Sequence, residues 1–190
     1  MLFRSFDELE GIHDRTDYDL TQHMQFSGVD LRYTDPETKE KFVPWILETS
    51  VGLSRMFLAV LSDAYHEDTL GGDTRVVLRL APRLAPVKAA VFPLLKNKPE
   101  LVAKAREVYV ALKKDIPQIM WDDNGNVGKR YRRQDEIGTP FCITIDFDTI
   151  GAGDEVSNKD TVTVRDRDTG EQQRIKIDEL SAFLTRAIQA

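Results

Sequence analysis

The chain has 190 residues, 41% of them hydrophobic and 31% charged, and a formal net charge of −6. That composition belongs to one or two globular domains with a sizeable core and excludes a disordered or collagen-like chain. No apolar run approaches the roughly 20 residues of a spanning helix, so no membrane partner is expected.

Residues 42–50 read as a strand. Phe42, Pro44, Ile46, Glu48 and Ser50 share one face, and Val43, Trp45 and Leu47 share the other. A helix follows at once, its apolar stripe made by Leu53, Met56, Phe57, Val60, Leu61 and Ala64. The glycine pair Gly71-Gly72 and the prolines Pro82 and Pro86 mark a break between two parts. Residues 87–95 read as a buried strand. Pro99 then opens a helix seamed by Leu101, Ala105, Val108 and Leu112. A short strand at 119–121 is closed by Asp123-Asn124-Gly125. A polar, basic helix spans 127–137 and ends at Gly138, with Pro140 preventing continuation. Residues 141–147 form a strand, and 161–165 with 174–177 form an antiparallel pair around Asp168-Thr169-Gly170. Asp178 is placed to cap a last helix seamed by Leu180, Phe183, Leu184 and Ile188. Residues 86–190 therefore read β-α-β-α-β-β-β-α, an α/β fold with a mixed sheet.

Charge divides unevenly along this order. Residues 1–80 carry 8 basic and 15 acidic side chains, and residues 81–190 carry 18 and 17. The basic cluster Lys129-Arg130-Tyr131-Arg132-Arg133 stands in the second part, so the two parts are expected to face different partners.

Much of the candidate chemistry dissolves on inspection. His13, His23 and His66 include no pair at ligand spacing, so no metal site is expected. Cys142, the one cysteine, sits in an apolar strand and reads as an inert buried thiol. It leaves no internal disulfide and fits a reducing, cytoplasmic setting. Gly125-Asn126-Val127-Gly128-Lys129 lacks the glycine spacing and the following Ser or Thr of a phosphate loop. Asp146/Asp148 and Asp166/Asp168 are spaced like metal-binding pairs but are explained by turns at strand ends.

Two features remain. Glu48 and Ser50 end one strand face just before a helix start, a geometry that attracts ligands, and Arg55 lies in that helix's first turn. Spacing leaves a ligand pocket level with a plainer reading, in which Glu48 caps the turn and pairs with Arg55. The second feature is the 128–140 run, where four cations surround one tyrosine and offer phosphate contacts and a stacking surface. Charge alone favours a solvated helix face with an Arg132–Glu136 pair.

A family resemblance bears on both. Glu8-Leu9-Glu10-Gly11-Ile12-His13-Asp14-Arg15-Thr16-Asp17-Tyr18-Asp19-Leu20 and Pro44-Trp45-Ile46-Leu47-Glu48-Thr49-Ser50-Val51-Gly52-Leu53-Ser54-Arg55 resemble the end of a class II catalytic domain. Leu84-Ala85-Pro86-Val87-Lys88, the 128–140 run and residues 160–169 resemble an anticodon-binding domain. Together, in this order, they resemble the dimeric, single-polypeptide glycyl-tRNA synthetases over almost the whole chain.

The resemblance implies the end of an antiparallel-sheet catalytic domain at 1–80 and a mixed-sheet anticodon-binding domain at 81–190. It implies ligation of glycine to tRNA(Gly) with ATP and Mg2+ by a cytoplasmic homodimer. Glu8, Leu9, Gly52, Leu53, Ser54 and Arg55 fall on positions that contact ATP. Arg15, Glu48, Thr49, Ser50, Val51 and Gly52 fall on the glycine pocket, where a carboxylate holds the substrate's ammonium group. Lys129, Arg130, Arg132, Arg133, Arg165 and Arg167 are the expected tRNA contacts. Motifs one and two of the class precede Glu8 in the family, and Leu2-Phe3-Arg4-Ser5 is what a common sequencing adapter encodes. A truncated frame with residues 1–5 non-native, unable alone to activate glycine, is therefore expected. The rival reading is a stand-alone, non-catalytic tRNA- or nucleic-acid-binding module derived from the anticodon-binding domain.

Overall fold

The computed structural model describes residues 8–153 and 156–189, so the expectation for residues 1–5 lies outside the described residues. In chain order the elements are β1 (Glu10–Thr16), α1 (Tyr18–Ser27), β2 (Tyr33–Thr34), β3 (Lys41–Phe42), β4 (Ile46–Val51) and α2 (Leu53–Ala64). They continue with β5 (Tyr65–Leu70), β6 (Asp73–Leu78), β7 (Ala89–Pro93), α3 (Pro99–Asp115), β8 (Ile119–Trp121) and α4 (Val127–Ile137). The last are β9 (Phe141–Ile145), β10 (Thr161–Asp166), β11 (Gln172–Lys176) and α5 (Leu180–Gln189). They form two compact units, Met1–Ala59 and Val60–Ala190.

In the first unit β1 pairs antiparallel with β4, setting Gly11 opposite Ser50 and His13 opposite Glu48. The single strand expected over 42–50 is two pieces. Pro44 offers no backbone N–H to a ladder, and pairing stops at Phe42 and resumes at Ile46. None of the described residues of this unit is buried. A two-stranded ribbon covers neither of its faces, and Leu47, Ile12 and Trp45 stay largely exposed.

The second unit is built on a five-stranded sheet ordered β11-β10-β9-β7-β8. β7 runs parallel to β8 and β9, whereas β10 is antiparallel to β9 and β11. The expected β-α-β-α-β-β-β-α order and mixed sheet are therefore what the chain forms. Strand alternation separates two cores. Ala89, Val91, Ile143 and Val164 pack with the seams of α3 and α5, while Ala90, Phe92 and Cys142 pack under Tyr131 of α4. The four expected seam residues of α3 are all buried, and Pro99 stands in its first turn. β9 ends two residues before the expected Phe147 because Asp146 folds into a turn, its Oδ1 accepting from Thr149 N at 3.0 Å. The residue before α5 is Glu179, one later than the expected cap.

The glycine pair at 71–72 is not a linker. Both glycines have positive φ, 63° and 91°, and they turn the hairpin of β5 and β6. That hairpin lies in the second compact unit. The physical reason is Arg75, 3% exposed. It grips Asp68 at 2.6 and 2.9 Å, Asp135 of α4 at 2.9 Å and the Arg167 carbonyl at 2.8 Å. The hydrogen bonds from Arg75, and then from Arg79, hold the Asp68 carboxyl down at about 2. An unfolded aspartate titrates near ~3.9, so this contribution is whole above that pH and is lost as pH falls through about 2. Urea titrations between those limits should show stability falling less steeply in Asp68→Asn than in the wild type. Equal slopes would remove Asp68 from the acid response.

Candidate functional site

Two groups of expected site residues can be located. The first lies on the β1–β4 ribbon. Cross-strand partners share a face, so Gly11 and His13 of β1 stand with Glu48 and Ser50 of β4, while Arg15 lies unpaired at the irregularity between Asp14 and Thr16. Arg15 makes a bidentate contact with Asp19 of α1 at 2.8 and 3.1 Å, and its Nε lies 3.5 Å from Glu48 Oε2. The hydrogen bond with Asp19, then its charge and that of Glu48, raise the Arg15 pKa, and Asp19 is lowered in return. Glu48 is thus paired with Arg15 in place of the Arg55 partner of the plainer reading. Thr49 and Val51 alternate onto the opposite face, across from Ile12 and Glu10. As pocket members they can offer backbone only.

Where the ribbon ends, Gly52 accepts the first helical bond from Met56 N at 2.9 Å, and Leu53, Ser54 and Arg55 form the opening turn of α2. Arg55 Nη1 donates to the backbone carbonyl of Glu8, drawing two of the expected ATP-contacting segments together. Leu9 is exposed beside them. Gly11 stands opposite Ser50 on the ribbon. A Cβ there would lie 2.5 Å from His13 Nε2, so the glycine is what lets the imidazole fold along the ribbon. Asp19, which fixes Arg15, carried no signal beyond its helical spacing of four residues.

The second group is the basic run. Asn126 caps α4 by accepting from Lys129 N at 2.9 Å, and Gly138 ends it in the left-handed conformation. The helix sorts the cations by its period. Lys129, Arg132 and Arg133 face outward and line a groove of about 480 Å³ with Asp73, Asn126 and Glu136. Arg132 donates to the Thr74 carbonyl at 2.6 Å and pairs with Asp73 at 3.2 Å, in place of the expected Glu136. Arg133 makes a two-pronged contact with Asp122 and donates to the Asn124 carbonyl.

The other three expected tRNA contacts are internal. Arg130 is 1% exposed and donates to the carbonyls of Pro93, Asp123 and Gly125. Burial presses its pKa below the usual guanidinium range. Arg165, 5% exposed, is bidentate to Asp135 at 2.8 and 3.0 Å and lies over the Tyr131 ring. Burial lowers its pKa, but the bonds and charge of Asp135 outweigh that and raise it. Arg167 is spent on Asp168 and the Gly138 carbonyl. None of these three can meet RNA in this conformation. Each is held at the junction of α4 with the sheet, and each needs an internal acceptor there. Burial also pushes the Cys142 thiol up, in keeping with an inert cysteine.

Residues 88–187 match the family described as Anticodon binding domain. The chain belongs to that family. As an Anticodon binding domain protein it has close relatives among complete ligases. It is 53% identical over 182 residues to the glycine--tRNA ligase of Caldanaerobacter subterraneus subsp. tengcongensis and 54% identical over 183 residues to that of Clostridium kluyveri. A third, from Chlorobaculum tepidum, is 51% identical over 178 residues. These alignments take in 94–96% of this chain but only 36–37% of each ligase. The chain thus spans a little over a third of the length of these relatives. The expected resemblance to glycyl-tRNA synthetases is therefore present on both sides of residue 88, in the ribbon as well as in the Anticodon binding domain.

Proposed function

We propose that this chain is part of a glycine–tRNA ligase, in which it supplies part of the glycine pocket, the motif-three turn and the anticodon-binding domain. The observation that carries the reading is the identity above 50% running through both units. It is supported by Glu48 and Ser50 sharing one ribbon face, with the Arg15 side chain reaching to 3.5 Å from Glu48. Glu48 holds the ammonium group of glycine, and Arg15, fixed by Asp19, orients the carboxylate. Ser50 lies beside it. Glu8, Leu9, Gly52, Leu53, Ser54 and Arg55 form the ATP side, where the α2 N-terminus favours phosphate charge. Among the described residues no three His, Cys, Asp or Glu side chains come together as a metal-ligand set. In this reading ATP is the substrate and Mg2+ accompanies it in the intact ligase. The same reading takes the ligase as a cytoplasmic homodimer, and no helix among the described residues is long and apolar enough to cross a membrane.

The RNA side is carried by Lys129, Arg132 and Arg133. Titration of the 190-residue chain with tRNA(Gly) at two salt concentrations tests it. Replacing Lys129 and Arg132 by alanine should weaken binding and lessen the salt slope by about 0.9 per lost phosphate contact. An unchanged slope would remove the α4 face from the interface. Absence of binding at low salt would overturn the tRNA reading for this chain.

A further inference from the structure

The outer face of α3 carries an arrangement that neither the glycine pocket nor the α4 groove uses. Arg106, Tyr109 and Lys113 share that face at helical spacing, beside the buried seam. Trp121 closes the edge strand β8 next to them. The Arg106 guanidinium carbon lies 3.7 Å from the centroid of the Trp121 ring and 5.9 Å from that of Tyr109. The two rings meet edge to face at 5.9 Å. Lys113 Nζ lies 5.1 Å over the Tyr109 ring and donates to its hydroxyl at 2.8 Å. Ile119 and Trp121 face the α3 core, whereas Met120 between them packs toward α4. This ladder therefore stands across the sheet from Lys129 and Arg132.

What sets Arg106 apart is the indole it rests on. Arg75, Arg130, Arg132, Arg133 and Arg165 all donate to oxygen. Among the described residues Arg106 has neither a hydrogen-bond acceptor nor a carboxylate partner. It is exposed, and its guanidinium rests over the indole beneath it. Trp121 Nε1 has no acceptor either, so packing and the guanidinium alone hold the ring. A guanidinium pinned on one face keeps its other face for a second flat π-system and its edge N–H groups for an anion. A nucleotide brings both, a base to stack and a phosphate within reach of Arg106 and Lys113. A carboxylate peptide without aromatic rings brings only the anion.

We propose that the Trp121–Arg106–Tyr109–Lys113 ladder is a nucleobase-stacking platform for single-stranded RNA, distinct from the α4 face. It goes beyond the ligase reading and does not depend on it. The chain has two tryptophans, so Trp45→Phe leaves Trp121 as the sole indole reporter. Decaadenylate should quench its fluorescence, and inorganic tripolyphosphate, an anion without bases, should not. Arg106→Leu should weaken decaadenylate binding by about tenfold, the loss expected of one stacked base. Arg106→Lys, which keeps the charge but not the plane, should weaken it nearly as much. Arg106→Lys keeps a cation over the indole and should unfold near the wild-type temperature, which separates lost stacking from lost structure. Lys129→Ala with Arg132→Ala should leave the quenching unchanged, so failure of the α4 interface and failure of this platform read differently. No quenching by decaadenylate, equal quenching by tripolyphosphate, or full affinity in Arg106→Lys would each overturn the proposal.

Discussion

Replacing Asp135 by alanine is expected to cost the second unit about 3–5 kcal/mol, the range for removing one partner of a buried ion pair. Asp135 is 1% exposed and accepts two bonds from Arg165 and one from Arg75. Without it Arg75 keeps Asp68, but Arg165 is left with the face of Tyr131 and no carboxylate. The penalty is therefore mostly that of a stranded guanidinium rather than the worth of the lost bonds. Arg165→Met should cost less, since Asp135 still has Arg75. In the pair Asp135→Leu with Arg165→Met, the loss should be smaller than the sum of the single changes, because no uncompensated charge remains at that position. Urea unfolding followed by circular dichroism measures all three. A loss below about 1 kcal/mol for Asp135→Ala, within the ordinary run of substitutions, would show that the network is not a main support.

The same network explains why the basic run was only half legible. The period of α4 was plain in the sequence, and its start and end fell where Asn126 and Gly138 place them. Which face turned inward was not plain, because the buried residues Arg130, Gln134 and Asp135 are as polar as the exposed ones. Apolar periodicity is the usual sign of a buried face, and this helix hides a polar one. The partners that make burial possible lie far along the chain: the Pro93 carbonyl, which accepts from Arg130, and the Arg75 and Arg165 guanidinium groups, which donate to Asp135. Where burial was apolar, as at Leu101, Ala105, Val108 and Leu112, the seam could be read directly. The hairpin of β5 and β6 went unread for a related reason. Its inward residues, Arg75 and Val77, include a cation, and Tyr65-His66-Glu67-Asp68 shows no apolar alternation. The Gly71-Gly72 turn then looked like a break.

On the ribbon, alternation carried most of what could be known. Glu48 and Ser50 share a face, but the strand β1 that brings Arg15 to Glu48 was not read from the sequence, whose family resemblance marks residues 8–20 without assigning them a strand. Its residues, Glu10 to Thr16, alternate no apolar pattern, since no described residue of that unit is buried. The polar spacing of Arg15 and Asp19, four apart, was available but common to many helices.

In a complete ligase carrying these residues, Glu48→Gln is expected to raise the glycine KM by about 10- to 100-fold in glycine-dependent pyrophosphate exchange, as a charge-assisted bond becomes a neutral one. Glutamine keeps the length and one acceptor, so the change removes charge with little change of shape. Register supplies the control. Thr49 lies on the opposite face, across from Ile12, and Thr49→Val should leave the glycine KM unaltered. Asp19→Asn should fall between them, because Arg15 loses its bidentate partner but keeps Glu48 within 3.5 Å. In all three variants the ATP KM should stay near the wild-type value, since the nucleotide is assigned to Glu8 and the α2 turn. An unchanged glycine KM in Glu48→Gln, or an equal rise in Thr49→Val, would place the ammonium group somewhere other than this face.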